Sequence, residues 1–71
     1  MLFRSTWFIK AAEQGDAASQ YNLGRMYVLG KGVVANMPEA KHWIKKAYDN
    51  NDQNITILAE EVWDKFKLNS Y

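Results

Sequence analysis

The sequence of 71 residues contains no cysteine, and it holds only one histidine and one proline. Without cysteine the chain can form neither a disulfide framework nor a thiolate zinc site. No segment approaches the roughly 18 apolar residues that a membrane-spanning helix needs. Residues 1–10 lack the apolar run of a signal peptide, because Lys10 interrupts them. We therefore expect a cytoplasmic protein with no membrane partner.

A strong charge of either sign is also missing from the sequence. Nine Lys and Arg residues face eight Asp and Glu residues, which leaves a formal net charge of +1. This balance creates no field that would attract nucleic acid or anionic lipid, so we expect no nucleic-acid partner. Apolar residues at 48% and aromatic residues at 14% argue against disorder. The length suits one small domain, residues 1–71.

An internal repeat is present at an offset of 36 residues. The offset pairs Trp7 with Trp43, and it aligns three further pairs of identical residues: Lys10 with Lys46, Ala11 with Ala47 and Asp16 with Asp52. Periods of this length are typical of solenoids, in which each unit is one supersecondary element. The sequence therefore predicts two repeat units, 1–36 and 37–71.

Apolar spacing and turn signals predict four helices, over residues 2–14, 17–29, 37–49 and 53–69. Phe3, Trp7 and Ala11 recur every four residues, which places them on one helix face. Asp16 and Asn36 are good N-cap residues for the second and third helices. The predicted fold is all-α, an α/α solenoid of two antiparallel helix pairs.

The most specific prediction about packing concerns Gly24, which lies inside the second predicted helix. Glycine there costs roughly 1 kcal/mol relative to alanine, so we expect it to mark the closest contact between two helices. The other residues expected on the buried face of this helix are Ser19, Leu23, Met26 and Tyr27. The residues expected to be buried on the third helix are Ala40, Trp43, Ile44 and Ala47.

The last predicted helix fits the repeat in two ways. An offset of 36 places Glu60 at the position of Gly24, whereas an offset of 35 places Ala59 there. The second alignment keeps a small residue at the close contact, and it favours a one-residue deletion in the preceding turn. The apolar stripe expected on this helix consists of Ile55, Leu58, Ala59, Val62 and Phe66. Charged residues outside the stripe indicate a capping helix that ends the solenoid.

Short motifs in the first unit give a family resemblance. Residues 10–17 (KAAEQGDA), 20–24 (QYNLG) and 30–33 (GKGV), together with Met26 and Tyr27, closely resemble the Sel-one-like repeat. This family occurs in bacteria and eukaryotes and is related to the tetratricopeptide repeat. The match is dense over residues 7–47 and weak beyond Asp52. The resemblance implies an α/α solenoid that binds other proteins, with no catalytic residues.

Binding residues are expected on the groove that the first and third helices line. By analogy with related solenoids, a protein or peptide would contact Arg4, Phe8, Lys41, His42 and Lys45. Phe8 has the aromatic character of a binding anchor, but it also fits a core position. Arg4 departs from the family pattern, because its counterpart Ala40 is the small residue expected there.

Two apolar residues on the first helix suggest self-association. Leu2 and Ile9 are seven residues apart and fall on the opposite side of the helix from Trp7. Repeat arrays usually need at least three units for stability, and this chain has two. We therefore expect either a homodimer formed through Leu2 and Ile9 or a fragment of a longer array. A self-assembling structural role is the alternative to binding a foreign partner.

Catalytic and cofactor sites have little support in the sequence. No Ser-His-Asp or Cys-His set can be assembled. The loop Gly30-Lys31-Gly32 follows a helix, whereas phosphate-binding loops follow a strand. His42 and Glu39 are too few ligands for a metal. We expect a non-catalytic protein without cofactors, and a small hydrolase or metal-dependent enzyme is a remote alternative.

Overall fold

A computed structural model describes residues 9–71 of the chain. Helix α1 covers residues 9–13 of this part. It is followed by α2 (Ala17–Leu29), α3 (Met37–Asp49) and α4 (Gln53–Lys65), and a short 3₁₀ turn, Leu68–Ser70, follows α4. No strand occurs within residues 9–71. The prediction of an all-α fold with four helices is confirmed, and the expectations for Leu2, Arg4 and Phe8 lie outside the described residues.

Each of the helices α2, α3 and α4 begins at an Asp or Asn side chain that caps it. The caps are Asp16, Asn36 and Asp52. In each case the side-chain oxygen accepts a hydrogen bond from the backbone N–H three residues later, at 3.2, 3.1 and 3.3 Å respectively. These bonds satisfy amide donors that have no partner inside the helix. The helix starts are therefore set by local chemistry, and the predicted bounds of α2 and α3 are confirmed.

The three long helices run antiparallel to their neighbours along the chain. Gly30 ends α2 in the left-handed conformation, with φ of 70°, and its N–H donates to the carbonyl of Met26. The chain then turns back, and the Asn36 N–H donates to the carbonyl of Tyr27 at 3.0 Å. At the other end of α3, the Asn50 amide donates to the carbonyl of Gly15 at 2.9 Å. The end of α3 therefore lies beside the start of α2.

The alignment of α4 with α2 differs from the sequence-based prediction. Both helices have 13 residues, and their caps Asp16 and Asp52 are 36 residues apart. The predicted one-residue deletion in the turn is therefore wrong. Glu60 is the counterpart of Gly24, and Ala59 is the counterpart of Leu23. The Asp52 cap fixes where α4 starts, and with it the alignment of α4 with α2. This effect is stronger than the expected preference for a small residue opposite Gly24 in the alignment.

The predicted apolar stripe on α4 is wrong at one residue. Leu58 is 38% exposed, because it takes the place of the exposed Asn22 in the repeat. Ala59 and Val62 are buried, and Ile55 and Phe66 are half-buried.

Helix α4 is also shorter than predicted, since it ends at Lys65 rather than at residue 69. Lys67 adopts the left-handed conformation, with φ of 52°, and the chain leaves the helix axis there. This break brings Leu68 into the core, where it is fully buried. Burial of one leucine side chain contributes about 2 kcal/mol, which favours the break over continued helix.

Two buried clusters hold the helices together. The larger one joins α3, α4 and the 3₁₀ turn, and it consists of Ala40, Ile44, Ala47, Ala59, Val62 and Leu68. The smaller one joins α1, α2 and α3 through Ala12, Leu23 and Trp43. The predicted buried face of α3 is confirmed. On α2 the prediction holds for Ser19 and Leu23, whereas Met26 and Tyr27 are only half-buried.

Gly24 marks a very close contact between α2 and α3, as predicted. A Cβ atom added to Gly24 would lie 2.5 Å from both Cγ1 and Cδ1 of Ile44 and 3.1 Å from its backbone nitrogen. Carbon atoms in contact are normally about 3.5–4.0 Å apart. Any larger residue at this position would therefore push the two helices apart or displace Ile44.

A polar network joins the turn between α1 and α2 to the turn between α3 and α4. The buried Gln20 side chain donates to the carbonyl of Ala12 at 3.0 Å. The Asn50 side-chain amide donates to the side-chain Oε1 of Gln20 at 3.4 Å, in addition to its bond with the backbone carbonyl of Gly15. Among the described residues, no buried side-chain nitrogen or oxygen lacks a hydrogen-bond partner. The sequence reasoning did not identify Gln20 as a buried residue.

Candidate functional site

Three of the predicted binding residues lie together on the solvent side of α3. His42 and Lys45 are exposed and Lys41 is half-buried. The opposite side of the same helix is buried through Ala40 and Ile44, which are fully inaccessible to solvent. We call this the α3 surface. It forms a shallow depression of about 460 Å³, lined by Pro38, Lys41, His42, Lys45, Lys46 and Asp49.

The Trp43 ring contacts two residues of the α3 surface, His42 and Lys46. Trp43 is 7% exposed and lies in the cluster with Ala12 and Leu23. The His42 ring meets it edge to face, with centroids 5.1 Å apart. The Lys46 Nζ lies 5.5 Å from the Trp43 ring centre, a distance typical of a cation–π contact. The contact between His42 and an aromatic ring was not predicted from the sequence.

Lys41 lies at the edge of the α3 surface and turns towards α4. Its Nζ is 5.9 Å from the ring centre of Trp63, and it donates a hydrogen bond to the carbonyl of Tyr71 at 3.3 Å. These contacts join residues far apart in the sequence. Part of the Lys41 side chain therefore holds the end of the chain against α3.

A second concave surface lies between α3 and α4. We call it the α3–α4 groove, and its volume is about 480 Å³. The residues that line it are Lys41, Lys45, Tyr48 and Asp49 from α3, Ala59, Glu60, Trp63 and Asp64 from α4, and Asn69. Three carboxylates and two lysines make it weakly acidic. This groove was not predicted from the sequence.

Ile9 is the described member of the predicted self-association pair. It is half-buried and packs against the cluster of Ala12, Leu23 and Trp43. At least part of its side chain therefore faces the core of its own chain. Its role in self-association stays a prediction, as do the roles of Leu2, Arg4 and Phe8, which lie outside residues 9–71.

Between residues 9 and 71, no three His, Asp or Glu side chains come together in a group that could hold a metal ion. None of the helices in this range is long and apolar enough to cross a membrane.

Comparison with known proteins identifies the family. The profile of the Sel1 repeat matches residues 6–16 and 17–52. The chain belongs to the Sel1 repeat family. The resemblance found in the sequence is confirmed, and the second match is as long as the 36-residue repeat. Sel1 repeats are typically protein-interaction modules and are generally non-catalytic.

Two curated proteins share this Sel1 segment. The putative sel1-like repeat-containing protein L18 of Acanthamoeba polyphaga mimivirus is 44% identical over 43 residues, which is 61% of this chain. The chitin synthase regulator SKT5 of Saccharomyces cerevisiae is 40% identical over 47 residues, or 66% of this chain. The matched segment spans only 7% of the length of each relative. No solved structure gives a significant match.

Proposed function

We propose that this Sel1 repeat chain is a non-catalytic scaffold or adaptor that binds a protein or peptide through the α3 surface. The observation that carries the proposal is the placement of Lys41, His42 and Lys45 on one face of a helix whose other face is buried. Such a helix presents its side chains without first having to become ordered, which lowers the cost of binding. The absence of cysteine supports action in a reducing compartment such as the cytoplasm.

The charge of the α3 surface suggests the chemistry of the partner. Lys41, Lys45 and Lys46 face a single carboxylate, Asp49, among the lining residues. An acidic peptide segment would complement this surface and would be steered towards it. Phe8 is proposed as the aromatic anchor for the same partner; its counterpart in the repeat, Ile44, is fully buried, so a core role is the alternative.

An array of acidic peptides, probed with the labelled chain, tests the proposal. The variant carrying His42→Ala and Lys45→Glu should bind the selected peptides on the order of tenfold more weakly. Lys31→Glu is the matched control, because it makes the same charge change in the exposed turn after α2. The proposal fails if both variants lose binding equally, since net charge alone would then explain the capture.

Phe8→Ala separates a binding role from a core role. If Phe8 anchors the partner, the variant should lose peptide binding while its far-UV circular dichroism and thermal midpoint stay unchanged. A large fall in the thermal midpoint would assign Phe8 to the core instead.

A second candidate function is structural self-assembly. The observation that favours it is the α3–α4 groove, in which Tyr48 is 45% exposed.

A further inference from the structure

A further groove lies between α2 and α4. We call it the α2–α4 groove; its volume is about 310 Å³, at the lower end of the range for ligand pockets. It shares no lining residue with the α3 surface or with the α3–α4 groove. Three charged residues line it, and its other lining residues are apolar or aromatic: Tyr21, Val28, Leu29, Val62 and Phe66.

The floor of the α2–α4 groove is fixed by the core of the chain. Val62 is buried in the larger cluster, and Tyr21, Val28 and Phe66 are half-buried and pack against that cluster. Leu29 is different, because 49% of it is exposed. The packed side chains are in place before a partner binds, which lowers the cost of ordering them. A partner's apolar side chain on this floor would cover Leu29 and the exposed parts of both rings, and burial of apolar surface favours binding.

Two cations lie over the aromatic rings of the groove. The Arg25 Cζ is 5.6 Å from the centre of the Tyr21 ring, and the Lys65 Nζ is 5.7 Å from the centre of the Phe66 ring. These distances are typical of cation–π contacts. Arg25 and Lys65 are both exposed, so their alkyl stems cover apolar surface while their charged ends stay in solvent. The groove therefore combines an apolar floor with a cation on each helix.

The charges of the groove favour an acidic partner. Glu61 is the third charged lining residue, so two positive charges stand against one negative charge. Glu61 and Lys65 are four residues apart on α4, a spacing at which opposite charges attract each other. Arg25 has no carboxylate among the lining residues of its own helix. Its planar guanidinium is suited to hold a carboxylate through two parallel hydrogen bonds.

We propose that the α2–α4 groove binds a peptide segment in which a large apolar side chain is flanked by carboxylates. The apolar side chain lies on the floor beside Leu29, one carboxylate accepts hydrogen bonds from Arg25, and another is attracted by Lys65. This site is additional to the α3 surface and does not depend on it, since the two have different residues and only the groove has an apolar floor.

An NMR titration of the isotope-labelled chain tests the proposal. The probe is a blocked peptide with two leucines between pairs of aspartates. It should shift the amide signals of Arg25, Leu29 and Lys65 in a saturable way, both in the wild-type chain and in the variant carrying His42→Ala and Lys45→Glu. This second chain separates the groove from the α3 surface. Peptides with serine for leucine, or asparagine for aspartate, should bind the groove about tenfold more weakly.

Charge reversal in the groove should weaken binding of the probe by about tenfold or more. The groove variant carries Arg25→Glu and Lys65→Glu. Its matched control carries Lys10→Glu and Lys31→Glu, which make the same charge change at exposed residues outside the groove and should leave binding nearly unchanged. All four residues are exposed, and circular dichroism of each variant shows whether the fold is intact.

Two milder changes act in opposite directions. Leu29→Ala should weaken binding about fivefold, whereas Val34→Ala, at a residue 87% exposed outside the groove, should not. Glu61→Gln should strengthen binding about threefold by removing a like charge, whereas Glu60→Gln changes the net charge equally outside the groove and should have little effect.

Three results overturn the proposal. The first is a titration in which the groove signals do not shift or do not saturate. The second is an equal loss of binding in the groove variant and its matched control, since net charge alone would then explain the binding. The third is self-association of the wild-type chain that the groove variant abolishes, which would assign the groove to a second copy instead.

Discussion

Replacing Gly24 with alanine should destabilise this protein, although the same change stabilises most helices. Alanine is favoured over glycine inside a helix by about 1 kcal/mol. At Gly24, however, the added Cβ would lie 2.5 Å from two side-chain carbons of Ile44 and 3.1 Å from its backbone nitrogen. Ile44 is fully buried, so it cannot turn into solvent to avoid the clash. The steric term therefore opposes the gain in helix propensity.

The size of the effect follows from the two opposing terms. Overfilling a packed core costs typically about 1–3 kcal/mol, and two clashing carbons beside a backbone atom place Gly24→Ala at the upper end. After the gain of about 1 kcal/mol from helix propensity, the net loss should be about 2 kcal/mol. For a domain of this size, that loss lowers the thermal midpoint by about 10 °C. Urea unfolding followed by far-UV circular dichroism measures the change in free energy directly.

A double-mutant cycle with Ile44→Val identifies the cause. Ile44→Val removes Cδ1, and alone it should cost about 1 kcal/mol. In the Gly24→Ala background it also relieves part of the clash, so its cost should fall to nearly zero. The coupling energy of about 1 kcal/mol is the signature of direct contact between the two side chains.

An exposed position on the same helix supplies the control. Asn22 is exposed on α2, and the difference in stability between Asn22→Gly and Asn22→Ala measures helix propensity without a packing term. That difference should be about 1 kcal/mol in favour of alanine. If Gly24→Ala proves stabilising by the same amount, the close contact between α2 and α3 does not exist and the reasoning is refuted.

Three further changes test other parts of the fold, and urea unfolding measures each of them. Asp52→Ala removes the oxygen that accepts two N–H groups at the start of α4, and it should cost about 1 kcal/mol, whereas Asp52→Asn should retain most of the stability. Gln20→Ala removes the side-chain amide that donates to the carbonyl of Ala12, which keeps the bond from the Gly15 N–H, and it should cost about 1 kcal/mol; an unchanged stability would show that the amide bond contributes nothing to the fold. Leu68→Ala should cost about 2–5 kcal/mol if the 3₁₀ turn is part of the core, and almost nothing if the turn is detached.

Local signals explain why α2 and α3 were predicted correctly. Asp16, Gly30 and Asn36 act on neighbouring backbone groups, so their effect is readable from the sequence without knowing the fold. The buried face of α3 follows from helical spacing, because this helix has one strongly apolar side. Its residues Ala40 and Ile44 are fully buried, as the spacing predicts.

Long-range contacts explain what the sequence did not predict. The end of α4 depends on the burial of Leu68, and a helix pattern does not reveal that a residue beyond it folds back into the core. The position of Lys41 depends on Trp63 and Tyr71, which are distant in the sequence. The register of α4 was readable from Asp52, but the small size of Ala59 suggested a different alignment.

The pair Gly24 and Glu60 shows how one repeat position can serve different purposes in neighbouring units. At Gly24 the absence of a side chain lets α3 lie directly on α2. At Glu60 the same position carries an exposed carboxylate. A helix packed equally close there would bury that carboxylate, and an unpaired buried charge costs several kcal/mol. The close contact that Gly24 makes possible in the first unit is therefore opposed at the equivalent position of the second.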